Sequence, residues 1–194
     1  MSHIDLKLDR LLAMMSVELK GSETMKQQSG FTLIELMITL ALLGVILSIA
    51  IPAMGDFAIK QRVSSQTNEM MLSLAFARSE AIKLNRDVRL IPVTGTANGW
   101  SAGWCVGPST INSCNHADVV RVFSSANGVS ITSSGIANPP VLVFRRDGTT
   151  TQTNAALAIT SPNLKVTGES ARCISLNRQG RAEVKHMTRD AACS

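Results

Sequence analysis

A single carboxylate, Glu35, interrupts the otherwise uncharged run 31–51. An ionised carboxyl costs roughly 2.5 to 3.5 kcal/mol at the centre of a bilayer and less near its surface, so a residue of this kind needs a partner. Gly30 and Phe31 mark where that partner can be made. Cleavage between them would create an α-amino group one helical turn from Glu35, and the same amine on a neighbouring subunit could reach this carboxylate. The chemistry expected is an ion pair that sets axial register in a filament, with no bond made or broken at the site afterwards.

Two further sets of residues could do chemistry. Cys105, Cys114, Cys173 and Cys193 all follow the apolar run, and in an exported domain they are expected to form two disulfides. Three pairings are open; neighbours in sequence, Cys105 with Cys114 and Cys173 with Cys193, are favoured because each closes a short loop. The second set is basic. Lys and Arg outnumber Asp and Glu by five, and Arg172, Arg178, Arg181, Lys185 and Arg189 face only Glu169, Glu183 and Asp190 near the C-terminus. That surplus permits binding of a polyanion, although most such surpluses are solvated surface.

Other chemistries find little support. The three histidines are scattered, no serine sits in a nucleophile elbow, no glycine loop resembles a phosphate cradle and the carboxylates are not clustered, so no catalytic residue is proposed. There is no C-x-x-C, and His116 and His186 lack a ligand rhythm, so neither a metal nor another cofactor is expected.

The elements that position these residues follow from periodicity. At about 1.5 Å per residue the run 31–51 is roughly 31 Å long, enough to cross a hydrocarbon core. A secretory signal would be shorter and end in a small-residue cleavage site, for which Ser48-Ile49-Ala50 could pass, but this run is too long and continues as helix. From 52 to 85 the apolar residues Val63, Met70, Leu74, Ala77, Ala81 and Leu84 mark one amphipathic face, with Arg62, Glu69, Ser73, Glu80 and Lys83 opposite. Asn85 should stop the helix, and Pro92 bars its continuation. Short β-branched runs then predict strands at 87–93, 100–106, 118–123, 128–132, 141–145, 156–160, 164–167, 173–176 and 182–185. Asn98-Gly99, Asn127-Gly128, Asp147-Gly148 and Gln179-Gly180 supply tight turns between them. Asn138-Pro139-Pro140 reads as a stiff link and 149–154 as a flexible loop. The organisation expected is a leader at 1–30, a transmembrane helix at 31–51, its amphipathic continuation at 52–85 and a β-rich domain at 86–194. The 1–25 segment is partly amphipathic through Ile4, Leu8, Leu11, Leu12 and Met15. A start at Met25 and removal of a longer leader both give the same mature chain.

Gly30-Phe31-Thr32-Leu33-Ile34-Glu35-Leu36 resembles the type IV prepilin signature. The resemblance implies a prepilin peptidase that cleaves after Gly30 and N-methylates Phe31, with Glu35 as the assembly carboxylate; Gly44 and Pro52 sit where pilin helices often carry a helix-loosening glycine and proline. The distal half is similar to the GspH/FimT minor pilins and pseudopilins. Gly99-Trp100-Ser101-Ala102-Gly103-Trp104 looks like that group's paired-tryptophan strand, Phe144-Arg145-Arg146-Asp147-Gly148 like its phenylalanine-to-glycine turn and Ile174-Ser175-Leu176-Asn177-Arg178-Gln179-Gly180-Arg181 like its closing hairpin. The implied fold is the α+β type IV pilin fold, a long N-terminal helix packed on an antiparallel sheet.

The implied role is structural, in type II secretion or type IV pilus assembly. The partners it implies are other pilins through the N-terminal helix, prepilin peptidase and an inner-membrane assembly platform. The implied location is the inner membrane, single-pass, with the domain in the periplasm before incorporation into a pilus or pseudopilus. Some FimT-type pilins capture DNA through a Gly-Arg-x-Arg turn; here the turn reads Gly180-Arg181-Ala182-Glu183, with an acid in place of the second arginine. Arg178, Arg181, Lys185 and Arg189 are the residues from which sequence-blind DNA binding could be built. For Trp100 and Trp104, core packing is favoured over ligand stacking, because residues four apart in a strand share a face.

Overall fold

The computed structural model describes residues 31–193, with the side chains of Ile49, Pro52 and Ala53 outside the described set. The leader expected at 1–30, Gly30 included, lies outside the described residues. The chain forms two compact units, one ending at Val45 and one beginning at Ile46. A helix, α1 (Leu33–Leu84), starts in the first.

Thr32 sets that start. Its Oγ1 accepts the Glu35 N–H at 3.3 Å, and its carbonyl accepts the Leu36 N–H at 3.2 Å, satisfying a donor that has no partner inside the helix. Leu33, Ile34, Leu36, Met37, Ile38 and Leu40 are each more than half exposed. Six such residues within eight positions point in every direction around a helix, so this segment presents apolar surface on all sides.

In the second unit α1 is amphipathic. Val63, Met70, Leu74, Ala77 and Ala81 are buried on the face that periodicity predicts. The helix ends where expected: Asn85 takes a positive φ of 49°, with Asn85 N–H donating to the Ile82 carbonyl and Arg86 N–H to that of Ala81, both at 3.3 Å. This pair of bonds is a Schellman cap. The expectation that Ser73 and Glu80 lie on the solvent side needs correction, since both are buried. Each is three residues beyond a core position, Met70 or Ala77, and so shares its face. Ser73 donates back to the Met70 carbonyl at 2.8 Å, and Glu80 pairs with Lys83 at 3.5 Å.

The remaining chain folds into two antiparallel four-stranded sheets. The first holds β1 (Val88–Pro92), β2 (Trp104–Pro108), β3 (Arg121–Phe123) and β5 (Leu142–Phe144) in the order β3-β2-β1-β5. The second holds β4 (Ser130–Ser134), β6 (Ala155–Thr160), β7 (Ala171–Leu176) and β8 (Ala182–Met187) in the order β4-β6-β7-β8. One core joins them to the helix: Met70 and Leu74 pack in the same cluster as Leu90, Trp104 and Phe144 of the first sheet and Ile131, Ile159 and Ile174 of the second.

Two strand expectations and one loop expectation change. Trp100 lies in a 3₁₀ turn, Gly99–Ala102, and only Trp104 begins a strand. Both indoles are fully buried nonetheless, and Trp104 stacks on Phe123 at 5.8 Å. The turn persists because Ser101 Oγ accepts the Ile131 N–H at 2.8 Å and donates to the Ile131 carbonyl at 3.1 Å, tying it to β4. Residues 164–167 form turns and no strand, because Arg189 occupies the Pro162 and Leu164 carbonyls at 3.2 and 3.3 Å. Lys165 is drawn to Asp56 on α1. Nor is 149–154 a free loop: Thr150 is buried, and the Gln152 side chain bonds the Val143 N–H and the Val141 carbonyl at 3.2 and 2.9 Å, serving as an edge partner for β5. The Asn138–Pro139 peptide is cis.

Candidate functional site

The residues singled out by sequence fall into two places. Phe31 and Glu35 are at the start of α1, where Phe31 is 83% exposed and Glu35 stands in the first turn. A carboxylate there faces the positive end of the helix dipole, a favourable position even before any amine approaches. Thr32 was not among the sequence-derived site residues, although Thr32-x-x-Glu35 is the spacing of a capping box. Among the described residues, no helix is long and apolar enough to qualify as a membrane span. The run 31–51 assigned to the bilayer on sequence contains Ile49, whose side chain is outside the described set.

The cysteines pair as Cys105–Cys114 and Cys173–Cys193, and none of those described is free. The first clamps a satellite cluster of Ile91, Cys105 and Ile111. The second straps the C-terminal segment onto β7, where Ser134 Oγ also donates to the Cys193 carbonyl at 2.7 Å. Among the described residues there is no group of three or more His, Cys, Asp or Glu placed to hold a metal ion.

The four basic residues of the C-terminal set are not equivalent. Arg189 is committed: Nε and Nη2 donate to the two oxygens of Asp190 at 2.8 and 3.1 Å, in addition to its bonds to the 162 and 164 carbonyls. The hydrogen bond from Arg189 holds the Asp190 carboxyl below its ordinary range. Arg189 therefore staples the 162–164 loop. Lys185 is exposed on β8. Arg178 and Arg181 are exposed in the closing turn between β7 and β8, whose shape is fixed by Asn177 Oδ1 accepting the Arg181 N–H at 2.9 Å.

That turn does not stand alone. The Thr150 N–H donates to the Arg178 carbonyl at 2.9 Å, so the closing turn is docked on the turn after β5. A methyl group on Gly180 would collide with the Gly148 carbonyl, and both glycines have positive φ, 72° and 79°. The β5 turn carries Arg145 and Arg146, both exposed, and the Arg146 N–H donates to Asp87 at 3.3 Å. Sequence reading assigned these arginines no site role, since 145–146 and 178–181 are far apart in the chain.

Comparison with known proteins places these features. The family described as Type II transport protein GspH matches residues 66–180, and the prokaryotic N-terminal methylation motif matches 25–51. A fimbrial protein of Pseudomonas aeruginosa is 39% identical over 64 residues, 33% of this chain and 41% of that one. The chain thus spans about two fifths of that relative's length. The fimbrial protein EcpC of Eikenella corrodens is 32% identical over 114 residues, 57% of this chain and 67% of the relative. Among solved structures, the type IV minor pilin FimU of Pseudomonas aeruginosa superposes with a TM-score of 0.53 at 23% identity, covering 66% of this chain and 92% of that one. At that identity the likeness speaks to the fold, and it is the α+β arrangement of helix and antiparallel sheets described above. With a family match over more than half its length, the chain belongs to the GspH family of type II transport proteins and has the fold of a type IV minor pilin.

Proposed function

We propose that this chain is a minor pilin or pseudopilin, a structural subunit that enters a type IV filament through the first half of α1. The observation that carries this reading is the segment 33–47, whose large apolar side chains are exposed on every side of the helix and therefore suit lipid before assembly and neighbouring subunits after it. The bilayer, entered as a single pass with the domain on the periplasmic side, is its first environment. Prepilin peptidase cleaves between Gly30 and Phe31 and methylates Phe31. Glu35 then receives the α-amine of an adjoining subunit, and the inner-membrane assembly platform draws the chain into a pilus or a secretion pseudopilus.

The test is direct. Membrane-extracted protein is expected to begin at N-methylated Phe31 by intact mass, and a different first residue would end this account.

A second reading is supported by the docking of the closing turn. Arg178 and Arg181 are exposed, uncommitted and held on an ordered turn, as a sequence-blind DNA contact requires. Mobility shift with the full chain in detergent is expected to weaken in Arg178→Ala/Arg181→Ala; equal retention would remove this turn from any DNA role.

A further inference from the structure

A second basic site lies beside the closing turn. Asn85, Arg86, Asp87, Arg145, Arg146 and Asp147 line a solvent-open cavity of about 570 Å³. Its three arginines come from two segments, the cap that ends α1 and the turn after β5. Its two acids already accept hydrogen bonds, Asp87 across the two segments and Asp147 within its own turn. Asp87 accepts the Arg146 N–H at 3.3 Å, and Asp147 accepts the Thr149 hydroxyl and N–H at 2.7 and 2.9 Å. Hydrogen bonding from Thr149 holds the Asp147 carboxyl below its ordinary range, so it stays charged and turned towards its own backbone. Arg86, Arg145 and Arg146, all exposed, are the basic residues that line the cavity.

We propose that this cavity binds a phosphate group of a single nucleic-acid strand, with Arg86, Arg145 and Arg146 as its ligands, and that the strand continues onto Arg178 and Arg181. The inference rests on the nucleic-acid reading above and adds a binding site of different residues to it. A tetrahedral phosphodiester offers acceptor oxygens in several directions and can take guanidinium forks from two segments at once, whereas a carboxylate is planar and suits one fork. The Thr150–Arg178 bond and the Gly148–Gly180 contact keep the cavity and the closing turn side by side. A ligand with repeating anionic groups can therefore engage both. The acids facing the combined surface are Asp87 and Asp147, together with Glu183, which shares a neighbouring groove with Arg181. Glu80 is paired with Lys83. Contact is consequently to the backbone of the strand, and affinity should fall steeply with salt.

The experiment is anisotropy titration of the full chain in detergent with a labelled single-stranded oligonucleotide, repeated across a series of salt concentrations. Each phosphate contact contributes about 0.7 to the slope of log K against log salt for single strands. Arg145→Ala/Arg146→Ala is expected to lower that slope by about 1.4 and Arg86→Ala by about 0.7. Lys60→Ala/Arg62→Ala, which removes two exposed charges from α1 outside the cavity, should leave the slope unchanged. If the wild type does not bind at low salt, the nucleic-acid reading itself fails and takes this site with it. If Arg178→Ala/Arg181→Ala weakens binding while the cavity variants keep the full slope, the reading stands and the cavity is excluded. An equal loss in Lys60→Ala/Arg62→Ala would show a response to overall charge and overturn the site. Displacement by poly-glutamate at matched charge would overturn it in favour of an acidic polypeptide.

Discussion

Residues 33–47 and 63–84 share one backbone geometry and have opposite side-chain logic. The first stretch is apolar and exposed in every direction, with one acid at its start; the second buries an apolar stripe against two sheets, together with Gln66, Thr67, Ser73 and Glu80. Helicity is common to both, so it cannot be what separates assembly from folding. The medium separates them: a helix apolar all round belongs in lipid or among other helices, and an amphipathic one belongs on a domain.

The largest effect expected from this contrast is on assembly. Glu35→Ala should reduce incorporation into filaments more than tenfold while the domain melts at the wild-type temperature; normal incorporation in sheared fibres would break the comparison. Core truncation should do the reverse. Leu74→Ala is expected to cost about 2 to 5 kcal/mol of domain stability, and Leu40→Ala, exposed in the first stretch, less than about 0.5 kcal/mol. Matching losses from the two in thermal unfolding would show that the halves are not energetically distinct.

Removal of the C-terminal strap by Cys173→Ser/Cys193→Ser should cost about 3 kcal/mol on the chain-entropy model, slightly more than Cys105→Ser/Cys114→Ser because its loop is longer. Denaturant titration in the absence of reductant reads both. The smallest effect concerns Asp56, whose carboxyl is held below 3.8 chiefly by a hydrogen bond from Lys165. Since the folded value is the depressed one, its contribution is complete above the unfolded value and disappears as the pH falls through the folded one. Lys165→Met should therefore melt slightly lower than wild type at neutral pH and identically in strong acid; a difference that persists in acid would exclude this pair as its source.

What the sequence discloses depends on how local the physics is. The stop at Asn85, the tight turns at Asp147-Gly148 and Gln179-Gly180 and the apolar stripe from Val63 to Ala81 are short-range patterns, and each is where periodicity places it. The failures have tertiary causes. Ser101 bonding to β4 holds Trp100 in a 3₁₀ turn, Arg189 claims the Leu164 carbonyl at the start of the 164–167 stretch, and Gln152 lies as a partner beside β5. The cysteine neighbours can be paired from spacing alone, but Arg86, Arg145 and Arg146 come to line one cavity only because a helix cap and a distant turn meet.

Gly148 and Gly180 meet with no side chain between them. The spacing of the two arginine-bearing turns is thus written as one missing methyl group, at Gly180, while a methyl on Gly148 would meet Ile82 of α1 instead. Enlarging Gly180 to alanine would push the closing turn outward and alter the pitch of the positive groups while leaving their number unchanged, which makes that position a ruler for whatever anion rests on this end of the molecule.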